Sequence, residues 1–185
     1  MRSLRILLVI FVPLISIPFL IYFYLFVWIT SIDGYPYYYR DKLGVIYTNE
    51  ATGCFDICFI PVYRKLSGVD TKSFAVLHTK GGRSTPYAKD KYRVYYDAKP
   101  IQNADAVSFI LIDDTFSKDK NTYYVYGTEI KEFLKGIDPN LVLDNKHQVQ
   151  LIEIGYNPPF FFKIQNNNHV YKVYYVLDQK IEQIN

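Results

Sequence analysis

The stretch that decides the fold is YAKDKYRVYY, Tyr87 to Tyr96, because it recurs as FSKDKNTYYVY, Phe116 to Tyr126, with Asp90 and Asp119 29 residues apart. An earlier copy reads YYYRDKLGVIY, Tyr37 to Tyr47, and a degenerate one reads NNNHVYKVYY, Asn166 to Tyr175. A second element alternates with the first: VDTKSF at Val69 to Phe74, ADAVSF at Ala104 to Phe109 and, weakened, IDPNLV at Ile137 to Val142. Its aspartates, Asp70, Asp105 and Asp138, are 35 and 33 residues apart. Two interleaved elements of similar period mark a repeat architecture, in which each unit buries its apolar face against its neighbour.

The chemistry of the first element is that of a turn between strands. Asp41 with Lys42, Asp90 with Lys91, and Asp119 with Lys120 and Asn121 are polar turn residues, and the flanking Tyr, Val, Phe and Ile suit a pleated surface. Strand alternation puts Tyr92, Val94 and Tyr96 on one face and Arg93 and Tyr95 on the other. Val107, Phe109 and Leu111 alternate with Ser108, Ile110 and Ile112, which predicts a strand covered on both sides. Asp138 is expected to cap a short turn with Pro139 at its first helical position. Glu129 to Gly136 reads as one short helix, Lys80 to Thr85 as a hairpin loop and Asn166 to Asn168 as a turn. The predicted fold class is mainly β: antiparallel hairpin repeats in a meander or solenoid-like sheet.

The copies KDKNTYYVYG, AKDKYRVYYDAKPIQNADAVSF and RDKLGVIY resemble the DKNYY family of repeat proteins over roughly Tyr35 to Val142, with an extension of the resemblance to the carboxyl end left open. The chain departs from that pattern in having one full Asp-Lys-Asn copy, a Thr122 before the tyrosines and an insertion between Thr48 and Gly68. The resemblance implies a bacterial, often envelope-associated protein of undetermined biochemical role, and it brings no catalytic residues with it.

Upstream of the repeats, Ile6 to Ile32 runs for 27 residues without a charge, preceded by Arg2 and Arg5. At about 1.5 Å per helical residue this is long enough for a hydrocarbon layer of about 30 Å. Pro13 and Pro18 would bend such a helix, and Tyr22, Tyr24 and Trp28 suit a headgroup boundary. The expected organisation is a cytoplasmic tail over 1–5, a transmembrane signal-anchor helix over 6–32, with a long cleaved signal peptide as the rival reading, and an extracytoplasmic β-repeat domain over 33–185. Repeat copies are expected near 37–74, 87–109, 116–142 and 166–181. This places the chain in a bacterial inner membrane as a single-pass protein, with one helix as its only membrane contact.

Charge and composition narrow the function. The chain of 185 residues has 21 basic and 18 acidic side chains, and without residues 1–32 it keeps 19 and 18, with no basic stripe of the kind a nucleic-acid reader needs. Cys54 and Cys58 are the only cysteines. As a strand they stand about 13 Å apart, beyond the roughly 4.4 to 6.8 Å of a disulfide, so a bridge requires a turn, and a bridge and two buried thiols both remain open. No metal, cofactor or catalytic set is legible: the three histidines are scattered, and the Asp113-Asp114 pair reads as a solvated strand end.

The 19 tyrosines are the most numerous candidates. Tyrosine offers contact area at low entropic cost, and in adjacent pairs one ring of each faces outward. The contact candidates are therefore Tyr95 with Tyr96, Tyr123 with Tyr124, and Tyr174 with Tyr175. The expectation is a non-catalytic interaction or structural module with a protein partner. An immunity-type protein that binds a toxin is the narrower alternative, and an envelope hydrolase the more distant one.

Overall fold

A computed structural model describes residues 18, 20–21, 29–34, 37–49, 63–144, 147–176 and 179–184. The chain divides into two compact units, residues 1–72 and 73–185. Every sheet in both is an antiparallel meander of four strands in sequence order.

The first unit holds β1 (Thr30–Ser31), β2 (Tyr38–Arg40), β3 (Ile46–Asn49) and β4 (Tyr63–Lys65). Among its described residues Tyr38 and Ile46 are the buried apolar ones, and the Tyr39 and Tyr63 rings meet edge to face at 4.8 Å. The second unit holds three sheets. β5 (Ala75–His78), β6 (Ser84–Lys89), β7 (Val94–Tyr96) and β8 (Lys99–Pro100) form one, and β9 (Ile110–Leu111), β10 (Phe116–Lys118), β11 (Tyr123–Val125) and β12 (Thr128–Glu129) the next. The last comprises β13 (Gln150–Gly155), β14 (Phe161–Asn166), β15 (His169–Tyr174) and β16 (Lys180–Ile184).

Helix α1 (Ile130–Ile137) follows β12, and its residues Ile130, Phe133, Leu134 and Ile137 form one apolar face toward the core. The helix stops where proline requires it to. The ring of Pro139 bars the preceding residue from helical angles, and Asp138 is extended at φ −132° and ψ 99°. Asp138 therefore ends the helix and also caps the short turn expected after it: its carbonyl accepts the Leu141 N–H at 3.1 Å across Pro139 and Asn140, and its carboxylate accepts the Asn140 N–H at 3.0 Å.

The core of the second unit lies between successive sheets, as a repeat architecture demands. Tyr87, Val94, Phe109 and Tyr124 join the first two of its sheets. Phe116, Val125, Leu134, Phe162 and Val173 join the third sheet and the helix to the second. The other face of the last sheet is dressed for water. Lys163 pairs with Glu153 at 2.6 Å and Lys180 with Glu182 at 2.7 Å, while the Lys172 ammonium lies 4.2 Å from the centre of the Phe161 ring.

Three sequence expectations change. No helix among the described residues is long and apolar enough to cross a membrane, which overturns the single-pass, signal-anchor reading. Most of residues 6–32 lies outside the described residues, and at the end of the expected span Thr30–Ser31 is a strand paired with Tyr39 and Arg40. The expected 107–112 strand shortens to Ile110–Leu111, because residues 106–108 turn and leave Val107 86% exposed. The strand expected from Tyr92 begins at Val94, and Val94 and Tyr95 are both buried, since β7 is covered on its two faces.

A groove at the loop end of the repeats

The Asp-Lys residues singled out by the repeat build its turns. In each copy one carboxylate oxygen accepts two backbone N–H groups of the turn, and the other accepts a tyrosine hydroxyl from the returning strand. Asp90 takes the N–H groups of Tyr92 and Arg93 at 2.7 Å and the Tyr95 hydroxyl at 2.9 Å. Asp119 takes those of Asn121 and Thr122 at 2.7 and 2.9 Å and the Tyr124 hydroxyl at 2.9 Å. Thr122 thus occupies the place of Arg93 and is no insertion relative to that copy. Asp41 repeats the device with a turn one residue longer, reaching Tyr47 at 2.9 Å, with Gly44 at φ +81° in the turn. Lys120 extends toward Asp105 at 3.5 Å, and Lys91 lies over the Tyr92 ring at 5.3 Å.

The second repeat element seats the first. Ser73 and Ser108 accept the backbone N–H of Lys91 and Lys120 at 2.8 and 3.0 Å, and the adjacent Phe74 and Phe109 rings pack on Tyr95 and Tyr124 at 5.9 and 5.6 Å. Asp105 donates its N–H to Asp119 at 2.8 Å; in the last copy Asp144 donates to Asn166 at 2.6 Å. Asp144, not Asp138, is therefore the counterpart of Asp105, and α1 is the added segment that hid the correspondence.

The predicted contact tyrosines serve mostly as core. Tyr95, Tyr124 and Tyr175 are buried, while Tyr96, Tyr123 and Tyr174 are half-buried. Burial, and then the hydrogen bond to and the charge of its aspartate, push the phenols of Tyr95 and Tyr124 well above their ordinary range. The Cys54 and Cys58 pair lies outside the described residues.

The concave surface forms at the opposite end from the Asp-Lys turns. In a four-strand meander the first and third connections share one end and the second connection lies at the other. Three successive sheets therefore bring Thr79–Arg83, Ile112–Thr115 and Tyr156–Phe160 to one place, with Tyr126, Tyr175 and Val176 beside them. The open groove so framed has a volume of about 690 Å³.

Asp113 and Asp114 lie in this groove and are not the solvated strand end that the sequence suggests. Asp113 accepts the N–H groups of Thr115 and Phe116 at 2.8 and 2.7 Å, and its second oxygen accepts the Tyr156 hydroxyl. Burial, with the hydrogen bond to Asp113 and its charge, raises the Tyr156 phenol far above its usual value; burial, Tyr126 and Asp113 raise that of Tyr175. Arg83, from the hairpin loop, pairs with Asp114.

Tyr87 fixes the floor. Its hydroxyl donates to the Thr115 carbonyl and accepts the Gly127 N–H, both at 3.1 Å, and burial pushes it up to about 12. Tyr126 and Gly127 form a two-residue turn with both residues at positive φ, 49° and 72°. Only glycine fits the second position, since an added Cβ would lie 2.4 Å from the Tyr96 Cβ.

Arg83, Tyr156 and Phe160 escaped sequence reading because they lie in connections outside the repeated motif, and Tyr126 because it is the last residue of its copy, in the turn that follows β11. The available signal was positional: all of them sit in connections of one parity. The matching family model covers residues 87–185: it takes in the carboxyl end, to which the resemblance was open, and leaves the first copy, before Tyr87, outside. No curated protein and no solved structure matches the chain. With more than half of its length covered by the model of the DKNYY family, the chain belongs to that family.

Proposed function

We propose that the chain is a non-catalytic interaction module that holds a segment of a partner protein in the groove at the loop end of its repeats. The observation that carries this reading is the convergence of three connections from successive sheets on one aromatic-walled concavity. Repeat scaffolds use such surfaces for binding, and loops on a rigid frame are where recognition residues collect. Tyr126 supports it further: a bulky residue held at φ +49° costs about 1–2 kcal/mol that glycine would avoid, at the place where its ring reaches the groove. The acids of the groove are engaged, Asp113 by three donors and Asp114 by Arg83, which suits holding better than proton transfer.

The test compares two exposed tyrosines on opposite ends. A photo-crosslinking residue replaces Tyr156 in the groove, 60% exposed, or Tyr92 in an Asp-Lys turn, 68% exposed. A discrete protein adduct from position 156 and none from position 92 is the expected result. Equal labelling at both, or none at 156, refutes the groove as the binding surface.

A further inference from the structure

The geometry points to the groove as a seat for a cationic side chain, the guanidinium or ammonium group of a partner protein's arginine or lysine, which Arg83 fills when the partner is absent. The assignment rests on the interaction reading above and specifies its chemistry.

The first part of the argument is the wall. Tyr126, Tyr156, Phe160 and Tyr175 all line the groove, and the Tyr126 and Tyr175 ring centres are 6.4 Å apart. Aromatic faces gathered around an acid attract a cation through the ring quadrupole. The Asp113 carboxylate is close enough to Tyr156 to accept its hydroxyl, so rings and negative charge share one space.

The second part is the occupancy of the other acid. The Asp114 Oδ2 already receives a guanidinium, that of Arg83. Its Oδ1 is buried and has no hydrogen-bond partner among the described residues. A carboxylate satisfied at one oxygen is incompletely paired, because a guanidinium in fork geometry engages both. Arg83 is also a poor permanent occupant. Its side chain is 69% exposed, and it follows Gly81 and Gly82 in the hairpin loop, Gly82 at φ +78°. Exposed ion pairs of this kind are weakly held, so the arm can yield to a partner's cation that also gains the rings.

Lys80 also lines the groove, but an anionic ligand fits less well, since the Arg83 charge is spent on Asp114 and Asp113 faces the same space.

The experiment titrates the full chain with N-acetylarginine methylamide and follows the backbone amides of Thr115, Gly127 and Tyr156 by NMR. N-acetylglutamate methylamide and maltotriose serve as the anionic and neutral probes. The arginine probe is expected to shift these amides. Arg83→Ala should tighten its binding about threefold to fivefold by removing the internal competitor. Asp114→Asn in the Arg83→Ala background should abolish the shifts while the Asn121 amide at the other end stays in place. Phe160→Leu, which removes a ring of the wall and no hydrogen bond to either acid, should weaken binding as well.

Shifts produced by the glutamate or sugar probe in place of arginine, weaker arginine binding in Arg83→Ala, or no shift at all would overturn the proposal. If a groove adduct from position 156 persists in that event, the interaction reading stands without the cation; if both fail, both fall.

Discussion

At the scale of single residues, the Asp-Tyr pair explains why the repeat spells Asp and Tyr at all. The Asp119 carboxylate gathers four donors: the N–H groups of Asp105, Asn121 and Thr122 and the hydroxyl of Tyr124. Burial alone would raise its carboxyl, but these donors together hold it below the ordinary 3.8. A depressed carboxyl stabilises the fold above the unfolded value and ceases to do so as pH falls through the folded one, where the unfolded chain takes up the proton first. The melting temperature, measured from about pH 5 downward, should therefore drop below about pH 4, and Asp119→Asn should flatten that acid limb. At neutral pH the same substitution should cost about 1–3 kcal/mol in urea denaturation, because an amide N–H₂ would meet the Asp105 N–H. The last copy shows when Asn is tolerated: Asn166 turns its N–H₂ to the carbonyls of Asp144 and His147 and offers Oδ1 to the Asp144 N–H. An unchanged acid limb in Asp119→Asn would show that other carboxylates govern it.

At the scale of elements, a small sheet needs an apolar face to pack, and the three sheets of residues 73–185 find theirs in one another. Phe162 of β14 is fully buried and packs against Phe116 of β10 at 5.3 Å, Phe133 of α1 at 6.2 Å and Tyr175 at 5.7 Å. Phe162→Ala should cost about 3–5 kcal/mol, whereas Ile110→Ala on β9, a side chain 51% exposed, should cost less than about 1 kcal/mol. Denaturant midpoints for the two variants measure the difference, and equal losses would contradict the assignment of the core to the sheet junctions. The helix was readable from its own apolar spacing, Ile130 to Ile137, and lies within a residue of the expected place. Its effect on the repeat was not readable. By adding a segment between β12 and the last sheet it moved the counterpart of Asp105 from the expected Asp138 to Asp144. The weak match at IDPNLV keeps the capped turn of the second element, Asp138 taking the Asn140 N–H as Asp70 takes that of Lys72, but it lies at a helix terminus.

At the scale of the molecule, residues 73–185 form one compact unit whose three sheets share cores in chain order. This fragment, produced alone, should unfold in a single cooperative transition with native β circular dichroism, since its junction cores draw on its own residues; a fragment without a transition would show that it depends on residues 1–72. Hairpins, turns and the mainly β class followed from the sequence alone, because a carboxylate capping its own turn and alternating β-formers act within ten residues of chain. Local chemistry of that range repeats visibly, so YAKDKYRVYY and FSKDKNTYYVY announce the same structure twice. The buried or exposed fate of each tyrosine, the pairing of Arg83 with Asp114 and the meeting of Asp113 with Tyr156 were decided only by the stacking of sheets. The partners in those contacts are 31 and 43 residues apart, and no periodicity in the chain encodes which loops will face one another. Only the parity of a meander, three times repeated in space, sets them around one groove.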